Sequence, residues 1–273
     1  MNTRLNAAID VLLYFASFFI IQIVVRGAAV LVCKSSGVQL PPTALVVSSV
    51  LTCLITIALF ALLRWSPSQA MRMSRRRWPV LVWAALAALG TMAPMQLLVD
   101  VSGFRLPPEQ VTIFASIMSS RWGWLAIALA TPIAEEMVFR GAIMRVLLAA
   151  CGEGRHWWAI VITALLFGVA HGNMAQFVNA FLVGLLLGWV CFRTSSLLPG
   201  IVMHFTINIT SYAATRLLPG TEDMTLTEFF GGDYLRLGLL MVCSLCVLVP
   251  SLIQLYQATG RAPLEVRHRH RRG

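Results

Sequence analysis

At 273 residues, with 58% hydrophobic and 12% charged residues and a mean hydropathy of +0.79, the chain is far more apolar than a water-soluble domain, in which about 25% of residues are charged. These values define a multi-pass membrane protein, long enough for one large domain or two small ones. The net charge of +10 does not point to nucleic acid: all but one of the 21 basic residues are Arg, clustered at the ends of apolar runs, and no aromatic-interleaved basic stripe is present.

Eight apolar runs follow in chain order, at 9–32, 43–63, 79–99, 122–148, 157–173, 175–192, 197–216 and 235–257. They predict an all-α polytopic bundle of about eight transmembrane helices in a single domain, residues 1–273, ending in a basic tail at 258–273. The first run is too long for a signal-peptide core and lacks a small-x-small cleavage site, so it reads as a retained helix. It carries Arg26, expected to face other helices or to snorkel toward the nearer interface. Pro79 opens the third run, where a missing N–H costs nothing. The stretch 100–121, with Pro107-Pro108-Glu109, is compatible with a short amphipathic or re-entrant piece.

Orientation comes from the arginines. With an even number of spans, the termini, the 64–78 loop and the tail share one side. That side collects 14 basic residues, among them Arg64, Arg72, Arg75, Arg76, Arg77 and the tail arginines. The other side has Lys34, Arg105, Arg121, Arg216 and Arg236, with Glu222, Asp223, Glu228 and Asp233. The positive-inside rule places both termini in the cytoplasm.

The fourth run contains Thr131-Pro-Ile-Ala-Glu135-Glu136-Met-Val-Phe-Arg140-Gly141. A charge at the centre of such a helix costs roughly 2.5–3.5 kcal/mol even on the lenient insertion scale, so three together need a reason. Glu136 and Arg140 lie one turn apart on one face, and Glu135 points about 100° away. Arg140 is thus expected to hold Glu136 and leave Glu135 for chemistry. The fifth run ends in Phe167-Gly-Val-Ala-His171-Gly-Asn173, and the seventh holds His204-Phe-Thr-Ile-Asn208, with His204 and Asn208 one turn apart. His156 reads as a loop residue, and His268 and His270 belong to the tail. The six cysteines are scattered. Cys243-x-x-Cys246 has a redox spacing but no βαβ context, so core packing is the expectation. Gly184-x-x-x-Gly188 suits close helix packing or is simply part of an apolar helix.

One intramembrane His is readily a satisfied packing contact. Two His, an Asn, two Glu and an Arg on three spans fit one shared polar pocket. Glu and His together can hold a water and take its proton as it attacks a carbonyl, while a His N–H and an Asn amide can donate to the oxyanion. A metal-dependent protease is the competing chemistry, but the His-Glu-x-x-His helix motif is absent and His204 is paired with Asn. A proton-coupled transporter would use the same charges as a relay, yet no internal repeat is evident. A catalytically silent membrane scaffold or immunity protein would use the helices alone. From the run boundaries, at about 1.5 Å per residue, Glu135 lies roughly 18–20 Å, His171 about 21 Å and His204 about 10 Å from the cytoplasmic end. Either the boundaries are off by several residues, which is the simpler reconciliation, or helices of different tilt bring the groups level.

Glu-Glu-x-x-x-Arg, Phe-x-x-x-His and His-x-x-x-Asn, in this order on separate spans, resemble the motifs of the CAAX prenyl protease and bacteriocin-processing (CPBP, or Abi) family of intramembrane glutamic endopeptidases. The resemblance covers about residues 120–215 and implies an eight-helix core. It further implies that Glu135 and His171 activate water, His204 and Asn208 form the oxyanion hole, and Glu136, Arg140 and Phe167 support them. It calls for no cofactor and no metal. The implied partners are the bilayer and a membrane-associated or lipidated peptide or protein substrate, with no nucleic acid.

Overall fold

The structure is a computed structural model and describes residues 3–37, 40–71, 78–152, 154–221 and 224–259. Among the described residues all regular structure is helical. The helices are α1 (Thr3–Ser35), α2 (Pro42–Leu62), α3 (Trp78–Ser102), α4 (Pro108–Ser119), α5 (125–151), α6 (His156–Val169), α7 (Met174–Thr194), α8 (Leu198–Leu217), the short α9 (Leu226–Phe229) and α10 (Tyr234–Ala258). All but α4 and α9 coincide with the apolar runs. Helices α1, α2, α3, α7 and α10 are long and apolar enough to cross a membrane. Arg72, Arg75, Arg76, Arg77, Glu222, Asp223 and the tail from residue 260, with His268 and His270, lie outside the described residues.

Proline and glycine set the helix limits. Pro42 and Pro108 each sit in a first turn, where their fixed φ is already helical and no N–H is missed. Gly152, at φ +75°, ends α5, and Gly172, at φ +70°, turns the chain from α6 into α7. Asn173 caps α7 by accepting the Gln176 amide at 2.8 Å, and Thr225 and Glu228 close a capping box on α9.

Two apolar clusters hold the bundle. One joins α1, α2, α5 and α6 through Tyr14, Phe18, Phe60, Phe139, Ile160 and Phe167. The other joins α3, α7, α8 and α10 through Val80, Ala84, Leu187, Met203 and Leu255. Glycine permits the closest approaches. A methyl on Gly90 would lie 2.7 Å from the Leu248 backbone nitrogen, so α3 and α10 touch backbone to backbone there. Gly184 and Gly188 let α7 pack closely on α6, where an added methyl would come 3.1 Å from Ala164 and 3.0 Å from Ile160, which decides for the helix-packing reading of that pair.

Helix α5 is continuous but not uniform: 125–130 and 137–144 are π-helical and flank an α-helical Thr131–Glu136. The first π stretch has a local cause. Thr131 N–H reaches back five residues to Ala126 O, and Pro132 has no N–H to offer Ile127 O.

Several expectations need correction. His156 is not in a loop; it is the first residue of α6 and stacks on Phe192 at 4.2 Å. Cys243 and Cys246 are exposed on the outer face of α10, not in the core. The helix ends differ from the predicted runs by three or four residues at α5 and α6, and the level of His204 has a further cause. Helix α8 begins inside the bundle, because the buried turn Ser196-Leu197 lies beside Gly141 of α5, where Leu197 N–H donates to Ala70 O at 2.7 Å. His204 is therefore close to its helix start and still level with the middle of α5.

Candidate active site

The middle of α5 supplies both carboxylates. Arg140 Nη1 donates to Glu136 Oε1 at 2.7 Å, as the one-turn spacing predicts, and both side chains are fully buried. The guanidinium is held further by Gly184 O, which accepts from Nη2 at 3.2 Å, and by the Phe167 ring, 4.5 Å away. Glu136 Oε2 and Arg140 Nε are buried without a hydrogen-bond partner among the described residues. Oε2 instead lies against the first turn of α8. A methyl on Gly200 would come within 3.1 Å of it, so glycine is what lets the carboxylate approach the positive end of that helix.

His204, on the second turn of α8, meets both glutamates. Its Nδ1 is 3.2 Å from Glu136 Oε1 and its Nε2 is 3.7 Å from Glu135 Oε2. His171 is placed differently: among the described residues it pairs with neither glutamate, and its Nδ1 lies 2.8 Å from Phe167 O. A carbonyl only accepts, so Nδ1 carries the proton and Nε2 presents its lone pair. Phe167 stands between the histidines, edge-on to His171 at 5.0 Å and to His204 at 5.7 Å. The expected group is thus gathered at one level, but with Glu135 beside His204 rather than beside His171.

Asn208, one turn beyond His204, donates through Nδ2 to Ile127 O at 2.9 Å. That is the carbonyl left without a donor by Pro132. The amide carries two N–H bonds, and one remains. Asn173 Nδ2 donates to Gln110 Oε1 at 2.6 Å and so ties the α6–α7 turn to α4.

Two cavities adjoin these helices. The larger, about 600 Å³, lies between α3, α4, α7 and α8 beyond Asn208, and Asp100, Arg105 and Arg216 are in its walls. None of the Glu or His site residues lines it. The smaller, about 140 Å³, lies between α1, α2 and α5 and includes Glu135. Among the described residues no three His, Cys, Asp or Glu side chains are arranged to hold a metal ion.

Fold and site together define an integral membrane protein with a buried carboxylate–histidine centre. Residues 117–210 match the family model described as Rce1-like, type II CAAX prenyl endopeptidase, a family of proteases. No curated protein and no solved structure matches the chain. The matched segment contains Glu135, Glu136, Arg140, Phe167, His171, His204 and Asn208.

Proposed function

We propose that the protein is an intramembrane glutamic endopeptidase that hydrolyses a peptide bond of a membrane-associated or lipidated substrate. The observation that carries this reading is the contact of Glu135, Glu136 and His204 in a buried site within the segment that matches a protease family. Glu135 and His171 hold the water. As its oxygen bonds to the scissile carbonyl carbon, its proton passes to this pair and then to the leaving amine as the C–N bond breaks. His204, with a carboxylate at each ring nitrogen, is oriented by Glu136 and turns Nε2 from Glu135 to the developing oxyanion. Asn208 contributes its second N–H, and each such donor is worth about 3–4 kcal/mol in well-studied enzymes. Glu136 and Arg140 fix the ring and Phe167 walls the pocket. No cofactor or metal enters this scheme.

The same proposal includes eight crossings, by α1, α2, α3, α5, α6, α7, α8 and α10, with both termini cytoplasmic and the protein in a bacterial inner membrane. The exposed aromatics support it. Trp78, Trp157, Trp158 and Tyr256 lie at helix ends assigned to one face, and Trp122 and Tyr234 at ends assigned to the other, as an interfacial belt requires.

The test compares wild type with Glu135→Gln in host membranes, reading the N- and C-terminal ends of membrane peptides by mass spectrometry. Gln is nearly isosteric and cannot act as a base, so a defined set of ends should vanish while the protein's amount and folding persist. An unchanged set of ends would overturn the proposal and favour a silent scaffold.

A further inference from the structure

His171 is the site residue with the least helix behind it. It lies past Val169, the last residue of α6, in the turn that Gly172 makes at φ +70°. Its ring is held by Phe167 O at 2.8 Å, and its carbonyl is held by a side chain: Asn173 Nδ2 donates to His171 O at 3.1 Å. The same nitrogen donates to Gln110 Oε1 at 2.6 Å. One amide therefore joins the backbone of His171 to the first turn of α4. Gln110 lies outside the segment that matches the protease family, and none of the three motifs includes Asn173.

The far end of α4 is fastened to the opposite side of the site. Tyr212 Oη donates to Ser120 O at 3.0 Å, and Arg216 Nη1 donates to Ser119 O at 3.1 Å. Both residues belong to α8, the helix that carries His204 and Asn208. Gly123 keeps this junction tight: a methyl there would collide with Ile117 O and lie 3.2 Å from the Tyr212 ring. Between its ends α4 rests on α2 and α5 through Ile113 and Ile117, packed with Leu45, Val46 and Ala126. From Gln110 to Ser119 is about 14 Å of helix, at about 1.5 Å per residue.

Helix α4 thus spans from the turn that holds His171 to the helix that holds the two oxyanion donors. In the proposed reaction the water held by His171 meets a carbonyl whose oxygen lies against His204 and Asn208. The spacing of these groups sets the geometry of attack, and a misplacement of about 1 Å costs about a hundredfold in rate. The fastening at Gln110 is separable from the fold. The Asn173 amide has two N–H bonds, and Gln176 Oε1 is a third acceptor, 2.6 Å from Nδ2. When Gln110 gives up its place, Gln176 takes the bond, and Asn173 Oδ1 keeps its cap on α7 through the Gln176 amide at 2.8 Å.

We infer that Gln110 and Asn173 are positioning residues of the peptidase: their bond makes α4 a brace that sets His171 against the oxyanion donors of α8. In this role Gln110 needs only an acceptor at its Oε1 position and touches no reacting group. The inference rests on the peptidase reading.

The experiment first finds the peptide ends in host membranes that depend on Glu135. It then follows purified full-length variants on a synthetic peptide spanning one of those bonds. In Gln110→Met, which keeps the length and loses the acceptor, kcat should fall about tenfold to a hundredfold, while KM stays within about twofold and the melting temperature holds. Gln110→Glu keeps an acceptor and should recover most of the turnover. Asn173→Ser keeps a helix cap but is too short to reach α4. It should lower kcat by itself, and adding Gln110→Met to it should cost nothing more. If no ends depend on Glu135, the peptidase reading fails at the first step and the brace falls with it. If they do, and Gln110→Met cleaves like wild type, the brace is wrong and the peptidase reading stands. A rise in KM at unchanged kcat would make Gln110 a substrate contact instead. Early melting that Gln110→Glu does not correct would make it a structural residue, and additive losses in the double variant would separate it from Asn173. Each of these three results overturns the inference.

Discussion

Asn208 shows how one side chain can serve the backbone and, in the proposed mechanism, the chemistry as well. Its amide fills the place of the donor that Pro132 removes from Ile127 O, and the residue lies one turn from His204. The two roles are separable. Asn208→Ala leaves the part-buried Ile127 carbonyl without its donor, at a cost of up to about 1–3 kcal/mol. Pro132→Ala restores an N–H at the i+5 position of the π stretch, so Asn208→Ala should cost at least about 1 kcal/mol less in that background, a factor of about five in the equilibrium constant. Unfolding of the purified protein in detergent checks the coupling. Peptidase activity should stay low in the double variant, because the restored backbone bond provides no oxyanion donor. Activity returning with stability would reduce Asn208 to a scaffold residue.

At the level of elements, the sequence made most helices legible and their faces hardly at all. Apolar runs marked eight of the ten helices, and Pro107-Pro108-Glu109 marked α4, because length and proline are local signals. Which side of α10 carries Cys243 and Cys246, or that α8 starts at a buried turn on Gly141, is set by packing between distant segments. The same limit applied to the site. The Glu136–Arg140 pair follows from helical spacing, whereas the approach of His204 to Glu135 depends on where α8 begins. Gly90 tests the packing directly. Gly90→Val would drive a branched side chain into the Leu248 backbone and should destabilise the protein by about 1–3 kcal/mol. A variant that melts with wild type would mean that α3 and α10 can part without loss.

For the whole molecule, the uneven distribution of arginine and the buried start of α8 are independent clues to how it sits in a bilayer. The charge pattern predicts that a fluorescent protein joined after Gly273 lights up in the cytoplasm. An alkaline phosphatase should be active when inserted at Gly37 or Gly232 and silent at Gly154. The reverse pattern would overturn the proposed topology. In this arrangement Glu135 lies in the middle of α5, with the small cleft between α1, α2 and α5 beside it.

The π stretches of α5 carry a consequence for how chain length, rather than side-chain identity, guards the site. Each π stretch is equivalent to one surplus residue accommodated without moving the helix ends. Deleting a single alanine between positions 126 and 130 would let that stretch relax to α-helix and swing Glu135 and Glu136 by about 100° relative to the preceding turn. Such a chain would keep every letter of all three motifs and still face its carboxylates away from His204.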